Sequence, residues 1–174
     1  MLSLMYYCTI SGSTVSDLPY GQSESHPDCI ALKLALTERI SQLCDMGMTD
    51  FLTNCEHGLS LWAAETIIAM RGFRENPARL HIIVPYESQA NRWYDDVQER
   101  YHNVHAAADS VTVLRTQYTD DCYQDTDRFM LNHSIMLLTD GGNKSLTDYA
   151  KSKNRYIEQV SLPVFRKGHN SSIL

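Results

Sequence analysis

Residues 80–86 read Leu80-His81-Ile82-Ile83-Val84-Pro85-Tyr86. A short apolar run stopped by proline predicts a strand buried on both faces, and such strands belong to parallel sheets covered by helices. The sequence before it supplies the unit that leads into this strand. Thr49 to Thr53 predicts another short strand, the loop Asn54-Cys55-Glu56-His57-Gly58 follows, and Leu59 to about Met70 predicts a helix. Apolar residues almost encircle that helix, as expected of one buried on a sheet. Asn76-Pro77 then breaks the chain before Leu80. Further upstream, Met5 to Ile10 predicts a first strand closed by Ser11-Gly12-Ser13, and residues 14–26 read as a polar loop able to fold over a neighbouring site. His26-Pro27-Asp28 opens a helix with proline in its first turn. Leu32, Leu36, Ile40 and Leu43 share one face of it, and Gly47 marks its end.

The alternation continues downstream of Tyr86. Ser88 predicts the N-cap of a helix through Trp93, Val97 and Tyr101. Ser110 to Leu114 predicts a fourth strand. Thr126 to His133 predicts a helix with Phe129 and Met130 inward, and Ile135 to Thr139 a fifth strand stopped by Asp140-Gly141-Gly142. A helix around Leu146 to Lys151 and a weak strand at Tyr156 to Val160 complete the pattern. Sustained strand–helix alternation predicts an α/β fold: a Rossmann-like, doubly wound, mainly parallel sheet with helices on both faces. With no linker or internal repeat, residues 1–162 read as a single domain and 163–174 as a loose C-terminal tail.

The chain has 174 residues and a formal net charge of −6. It contains no run of Lys and Arg, so nucleic acid is an unlikely partner, since a duplex binder needs a basic stripe to displace counterions. Isolated basic residues can still hold one small phosphorylated ligand. The five cysteines, Cys8, Cys29, Cys44, Cys55 and Cys122, form no C-x-x-C pair, so no metal site is expected and the thiols read as reduced. No apolar stretch is long enough for a membrane span, and the start MLSLMYYCTISGS lacks the basic region of a signal peptide, so a cytoplasmic location is expected. No cofactor is implied, and a homo-oligomer is compatible with the chain.

In a doubly wound sheet, ligands bind beyond the carboxyl ends of the strands. Three strand-to-helix turns there are rich in small residues: Ser11-Gly12-Ser13, Asn54 to Gly58, and Asp140-Gly141-Gly142-Asn143-Lys144-Ser145. Small residues let backbone N–H groups approach a phosphate, and a following helix N-terminus adds partial positive charge. The GxGxxG fingerprint and the P-loop are both absent. Gly58, Trp62 and Glu65 share a helix face. Glu65 is the catalytic candidate, able to accept ribose hydroxyls or act as an acid/base, or else to pair with an arginine at the helix rim. Pro85 and Tyr86 end the third strand, and Tyr86 or Trp93 could stack on a base. Arg128 and Asn132 lie one turn apart and could reach a phosphate. Cys55 has only His57 near it as a base, a weak basis for a nucleophile.

At these residues the chain resembles the YpsA-like family of the SLOG superfamily, the DprA/LOG-like Rossmann folds. Gly58-Leu59-Ser60-Leu61-Trp62-Ala63-Ala64-Glu65 is the specific part. Ser11-Gly12, Ile83-Val84-Pro85-Tyr86 with Gln89 and Trp93, Asp127-Arg128-Phe129-Met130 with Ser134, and Leu137-Leu138-Thr139-Asp140 support it over roughly residues 5–160. The family usually carries Ser-Gly-Gln where this chain has Asn54-Cys55-Glu56. The last loop is similar to the Gly-Gly-x-Gly-Thr loop of the LOG branch without its third glycine, and the nearest acid after it is Asp148.

The resemblance implies a Rossmann-like sheet and a nucleotide or ADP-ribose-like ligand. The expected function is therefore binding or sensing of a small nucleotide-derived ligand at the sheet's C-terminal edge. The alternatives are a nucleotide N-glycosidase using Glu65 or Asp148, and a single-stranded nucleic-acid or protein-interaction module. The glycine turns predict the phosphate end at Gly12 and Gly141-Gly142 with Lys144 beside it, and the sugar or base end toward Glu65, Trp62 and Tyr86.

Overall fold

The computed structural model describes residues 6–160. Six strands form one all-parallel sheet in the order β4-β3-β2-β1-β5-β6. They are β1 (Tyr7–Ile10), β2 (Asp50–Thr53), β3 (Arg79–Val84), β4 (Ser110–Val113), β5 (Met136–Thr139) and β6 (Tyr156–Gln159). The helices between them are α1 (Pro27–Asp45), α2 (Leu59–Met70), α3 (Asp95–Ala107), α4 (Cys122–Asn132) and α5 (Lys144–Ser152), with a 3₁₀ turn at Arg71–Phe73. The start of β1 at Met5 and the tail at 163–174 lie outside the described residues.

Right-handed crossovers dictate the layering. The chain steps from β1 to β4 in one direction, which puts α1, α2 and α3 on one face. It then crosses back to β5 and steps to β6 the other way, which puts α4 and α5 on the opposite face. The core follows that alternation. Cys8, Ile10, Phe51, Leu80, Ile82, Val84 and Leu138 pack toward α1–α3. On the other face, Leu52 and Ile83 meet Met130 of α4, and Leu137 meets Leu146 and Ala150 of α5. Phe129 is only partly buried, at the margin of that second layer. The polar interruption at His81 is satisfied: its ring nitrogens lie 2.8 Å from Asp50 Oδ1 and 2.8 Å from Ser110 Oγ. β4 is an edge strand whose four residues are all exposed.

Two helix starts differ from the sequence reading. Ser88 caps no helix. Residues 86–93 form successive turns, and α3 begins at Asp95 after Tyr94. The cause is tertiary: Gln89 is buried there, donating to the Asn54 carbonyl at 3.0 Å and accepting from the Tyr101 hydroxyl at 3.1 Å. α4 starts one turn earlier than Thr126, and Thr126 instead bonds back to the Cys122 carbonyl. Among the described residues no helix is long and apolar enough to cross a membrane.

Candidate functional site

Strand order reverses between β1 and β5, so the turns after these two strands diverge from a common crevice. The turns nevertheless touch. Asp140 Oδ1 accepts from the Ser13 amide at 2.9 Å and from the Gly142 amide at 3.0 Å. Gly142 lies so close to Ser13 that a Cβ there would sit 2.8 Å from Ser13 Cα. Gly12 packs against Asp140 and Leu59 in the same way, and Gly141 adopts φ +85°, where glycine is favoured. The Gly141 amide donates to Thr139 Oγ1. The amides of Ser13, Gly141 and Gly142, expected to cradle a phosphate, thus already serve internal acceptors, and Asp140 holds the central position.

The turn after β2 is likewise filled by the chain itself. Leu59 N–H donates to the Ser13 carbonyl at 3.0 Å and Leu61 N–H to the Glu56 carbonyl at 3.1 Å, while Val15 N–H donates to the His57 carbonyl at 3.0 Å. Gly58, at φ +142°, lets Thr14 pair with it across an antiparallel bridge. Cys55 takes the left-handed conformation at φ +55°, where the family resemblance puts glycine. Its thiol is fully buried, and burial together with nearby Glu65 pushes its pKa upward, so it is not a nucleophile at neutral pH. Asn54 is buried, with Oδ1 accepting from the Glu56 amide.

Glu65 lies two turns into α2, about 9 Å along the helix from Leu59. It does not face the crevice: Arg100 of α3 grips both its oxygens, at 2.6 and 2.8 Å. Of the two roles open to Glu65, the structure supplies the arginine pair. Trp62 is buried beside it, and its indole N–H donates to Glu24. Glu24, from the polar 14–26 segment, also accepts from Lys33 and Arg100, with His57 Nε2 at 3.9 Å. Burial works to raise the Glu24 pKa, but His57, Lys33, Arg100 and Trp62 together outweigh it and hold the carboxyl well below the usual range. Lys144 is largely solvated and pairs with Asp148 one turn on, at 2.6 Å.

Three clefts line the C-terminal edge. One of about 280 Å³ is bounded by Tyr123, Gln124, Asp127, Arg128, Asn143 and Ser145. A second of about 220 Å³ includes Glu56, His57, Arg92, Trp93 and Tyr94 and meets the first at Tyr123. The third, about 500 Å³, opens by Tyr86 and shares Arg92 and Trp93 with the second. Tyr86 packs edge-on against Tyr118 and Tyr123, and Pro85 is buried behind it. Arg128 is exposed, its guanidinium over the Tyr149 ring. Another groove of about 490 Å³, by Met46–Met48 and Ile135, is at the opposite edge of the sheet.

The sequence reading passed over Asp127. It projects from α4 into the crevice and is 7% exposed. Asn143, the α5 N-cap, donates to its Oδ2 at 3.0 Å, while Oδ1 has no partner among the described residues. Burial raises its pKa to about 7, against the Asn143 donor and the neighbouring Ser11 hydroxyl, which both favour the charged form. Glu56 is raised to about 7 as well, by burial first, then by the charges of Asp127 and Asp17. Two carboxyls with raised pKa values thus line adjoining clefts of this edge. A local clue was available: Asn143 followed by Lys-Ser-Leu reads as a helix cap. Its link to Asp127 is long-range.

Comparison with known proteins agrees with this architecture. The YpsA family model, described as the YspA SLOG family, matches residues 8–164. UPF0398 proteins of Staphylococcus aureus strains JH9 and NCTC 8325 are 29% identical over 114 residues, covering 64% of this chain and 60% of each relative. The match thus spans less than two thirds of those relatives. The X-ray structure of TM1055, a structural genomics target, superposes with a TM-score of 0.50 at 13% identity, over 88% of this chain and 72% of that one. That likeness concerns the fold alone.

Proposed function

The chain belongs to the YpsA family of SLOG proteins, and on that premise we propose that it binds a nucleotide or nucleotide-derived ligand at the C-terminal edge of its sheet. The reversal of strand order between β1 and β5 carries the reading, because ligands of open α/β sheets occupy the crevice at that reversal. The clefts meeting at Tyr123 supply what such a ligand needs: aromatic faces at Trp93, Tyr94 and Tyr86, and polar groups at Asp127, Asn143 and Arg128. The pairing of Glu65 with Arg100, away from the crevice, weighs against the N-glycosidase alternative at that residue.

Thermal unfolding in the presence of adenine and guanine nucleotides, cyclic nucleotides and ADP-ribose tests the proposal. A ligand at about a hundred times its Kd stabilises the folded state by about 2.7 kcal/mol, or roughly 5–10 °C for a chain of this size. A Tm unmoved by every member of the panel overturns it.

A further inference from the structure

Taking the sheet edge as the ligand site, as above, we propose that Asp127 accepts hydrogen bonds from the ligand's sugar hydroxyls, and that the ligand is a nucleoside or nucleoside monophosphate rather than a pyrophosphate-bridged dinucleotide such as ADP-ribose.

The first half rests on an unpartnered oxygen. Asp127 is nine-tenths buried and lines the cleft of about 280 Å³, and its Oδ1 makes no hydrogen bond among the described residues, the Ser11 hydroxyl lying near enough only to favour the charged carboxyl. Unsatisfied buried polar atoms are rare because each costs desolvation with no return. Asn143 fixes the other oxygen, so the carboxyl is oriented before any ligand enters. A carboxyl held this way accepts from hydroxyl donors.

The second half rests on counting anion donors. The turns after β1 and β2 offer few free amides: Asp140 takes that of Ser13 and packs against Gly12, and Thr53 Oγ1 and Asn54 Oδ1 take those of Cys55 and Glu56. The start of α5 is different. Among the described residues, the Lys144 and Ser145 amides donate to no protein acceptor, and Ser145 lines the Asp127 cleft with Arg128 nearby. That is room for one phosphate at a helix N-terminus. A second phosphate would meet Asp140 or Glu56 instead. At about 280 Å³ the cleft lies just below the usual range for ligand pockets, about 300–1,000 Å³, and suits a sugar phosphate. The adjoining cleft past Tyr123 offers Trp93 and Tyr94 to a base.

Calorimetric titration of the full chain tests this with adenosine, guanosine, their 5′-monophosphates, the 2′,3′-dideoxy nucleosides and ADP-ribose. The expected result is binding of a ribonucleoside and its monophosphate, a loss of about tenfold or more in the dideoxy form, and weaker binding of ADP-ribose than of AMP. In Asp127→Asn, which can still accept from Asn143, the ribo-to-dideoxy ratio should fall toward one. The wild-type comparison stands even where that variant does not fold. Equal affinity for ribo and dideoxy forms, or tighter binding of ADP-ribose than of AMP, overturns the inference and leaves the sheet-edge site intact. Absence of binding by every probe overturns both.

Discussion

Asp140 Oδ1 accepts the Ser13 amide at 2.9 Å, so a carboxylate at the end of β5 closes the turn at the end of β1. Glycine-rich turns at these positions would ordinarily offer their amides to a ligand's phosphate. Here the protein supplies the anion itself.

Removal of that carboxylate should therefore expose an anion nest. Asp140→Ala leaves the Ser13 and Gly142 amides without an acceptor, at a cost of about 1–3 kcal/mol. Inorganic phosphate should then raise the Tm of the variant more than that of the wild type. Equal response of the two proteins to phosphate, in thermal melts at matched ionic strength, would show that no nest was vacated.

Stability should fall between pH 6 and pH 8. Asp127 and Glu56 have folded pKa values raised to about 7, above their ordinary values of 3.8 and 4.5. A raised pKa means that the folded state holds the proton more tightly, so the stabilisation is complete at low pH and is lost as pH rises through about 7. For Asp127 alone the change from pH 6 to pH 8 is on the order of 1 kcal/mol. Glu24 has the opposite sign, and its contribution disappears only in acid, below the ordinary carboxylate range. Urea unfolding at both pH values should give a lower midpoint at pH 8, and Asp127→Asn should flatten the difference. A midpoint that rises toward pH 8 would contradict the assignment.

Arg100 bridges α2, α3 and the 14–26 segment through Glu65 and Glu24. Arg100→Ala should cost about 1–3 kcal/mol, because it leaves two part-buried carboxylates sharing a reduced set of donors. Glu65→Gln should cost less, since it keeps an acceptor for the guanidinium, and should leave affinity for any sheet-edge ligand within about twofold, a change under 0.5 kcal/mol. A tenfold loss of ligand affinity in Glu65→Gln would return that residue to the site.

Gly58 and Cys55 should respond in opposite ways. Gly58→Ala would place a Cβ 2.7 Å from Thr14 Cα at a φ that side chains avoid, with an expected cost above about 2 kcal/mol. Cys55→Gly loses a small buried side chain but relieves a left-handed residue worth roughly 1–2 kcal/mol, so it should be nearly neutral. Chemical denaturation of both variants separates the cases.

What could be read from the sequence was what local pattern determines. α2 came out with both ends in place because a largely apolar stretch between Gly58 and Arg71 has few alternatives. β3 and β5 were legible as apolar runs. The start of α3 was not, because the turns at 86–93 are organised by Gln89 reaching Asn54, 35 residues away. The same limit hid the site's charges. An arginine partner for Glu65 was one of two readings, but that it is Arg100, and that Trp62 bonds to Glu24, depends on distant segments. Asp127 looked like an ordinary polar residue of an amphipathic helix until Asn143 and Ser11 closed around it. Small turns were visible as composition, but whether their amides were vacant depended on one carboxylate in another turn.

The reciprocal bonds between residues 13–15 and 57–59 bear on motion as well as on shape. Val15 and Leu59 donate across two separate turns, so neither amide can exchange its hydrogen with solvent unless both turns part. The rim of the crevice should accordingly share the slow exchange of the strands beneath it. A visitor would meet a surface already set, and the loss of chain freedom on association would fall mainly on the incoming molecule.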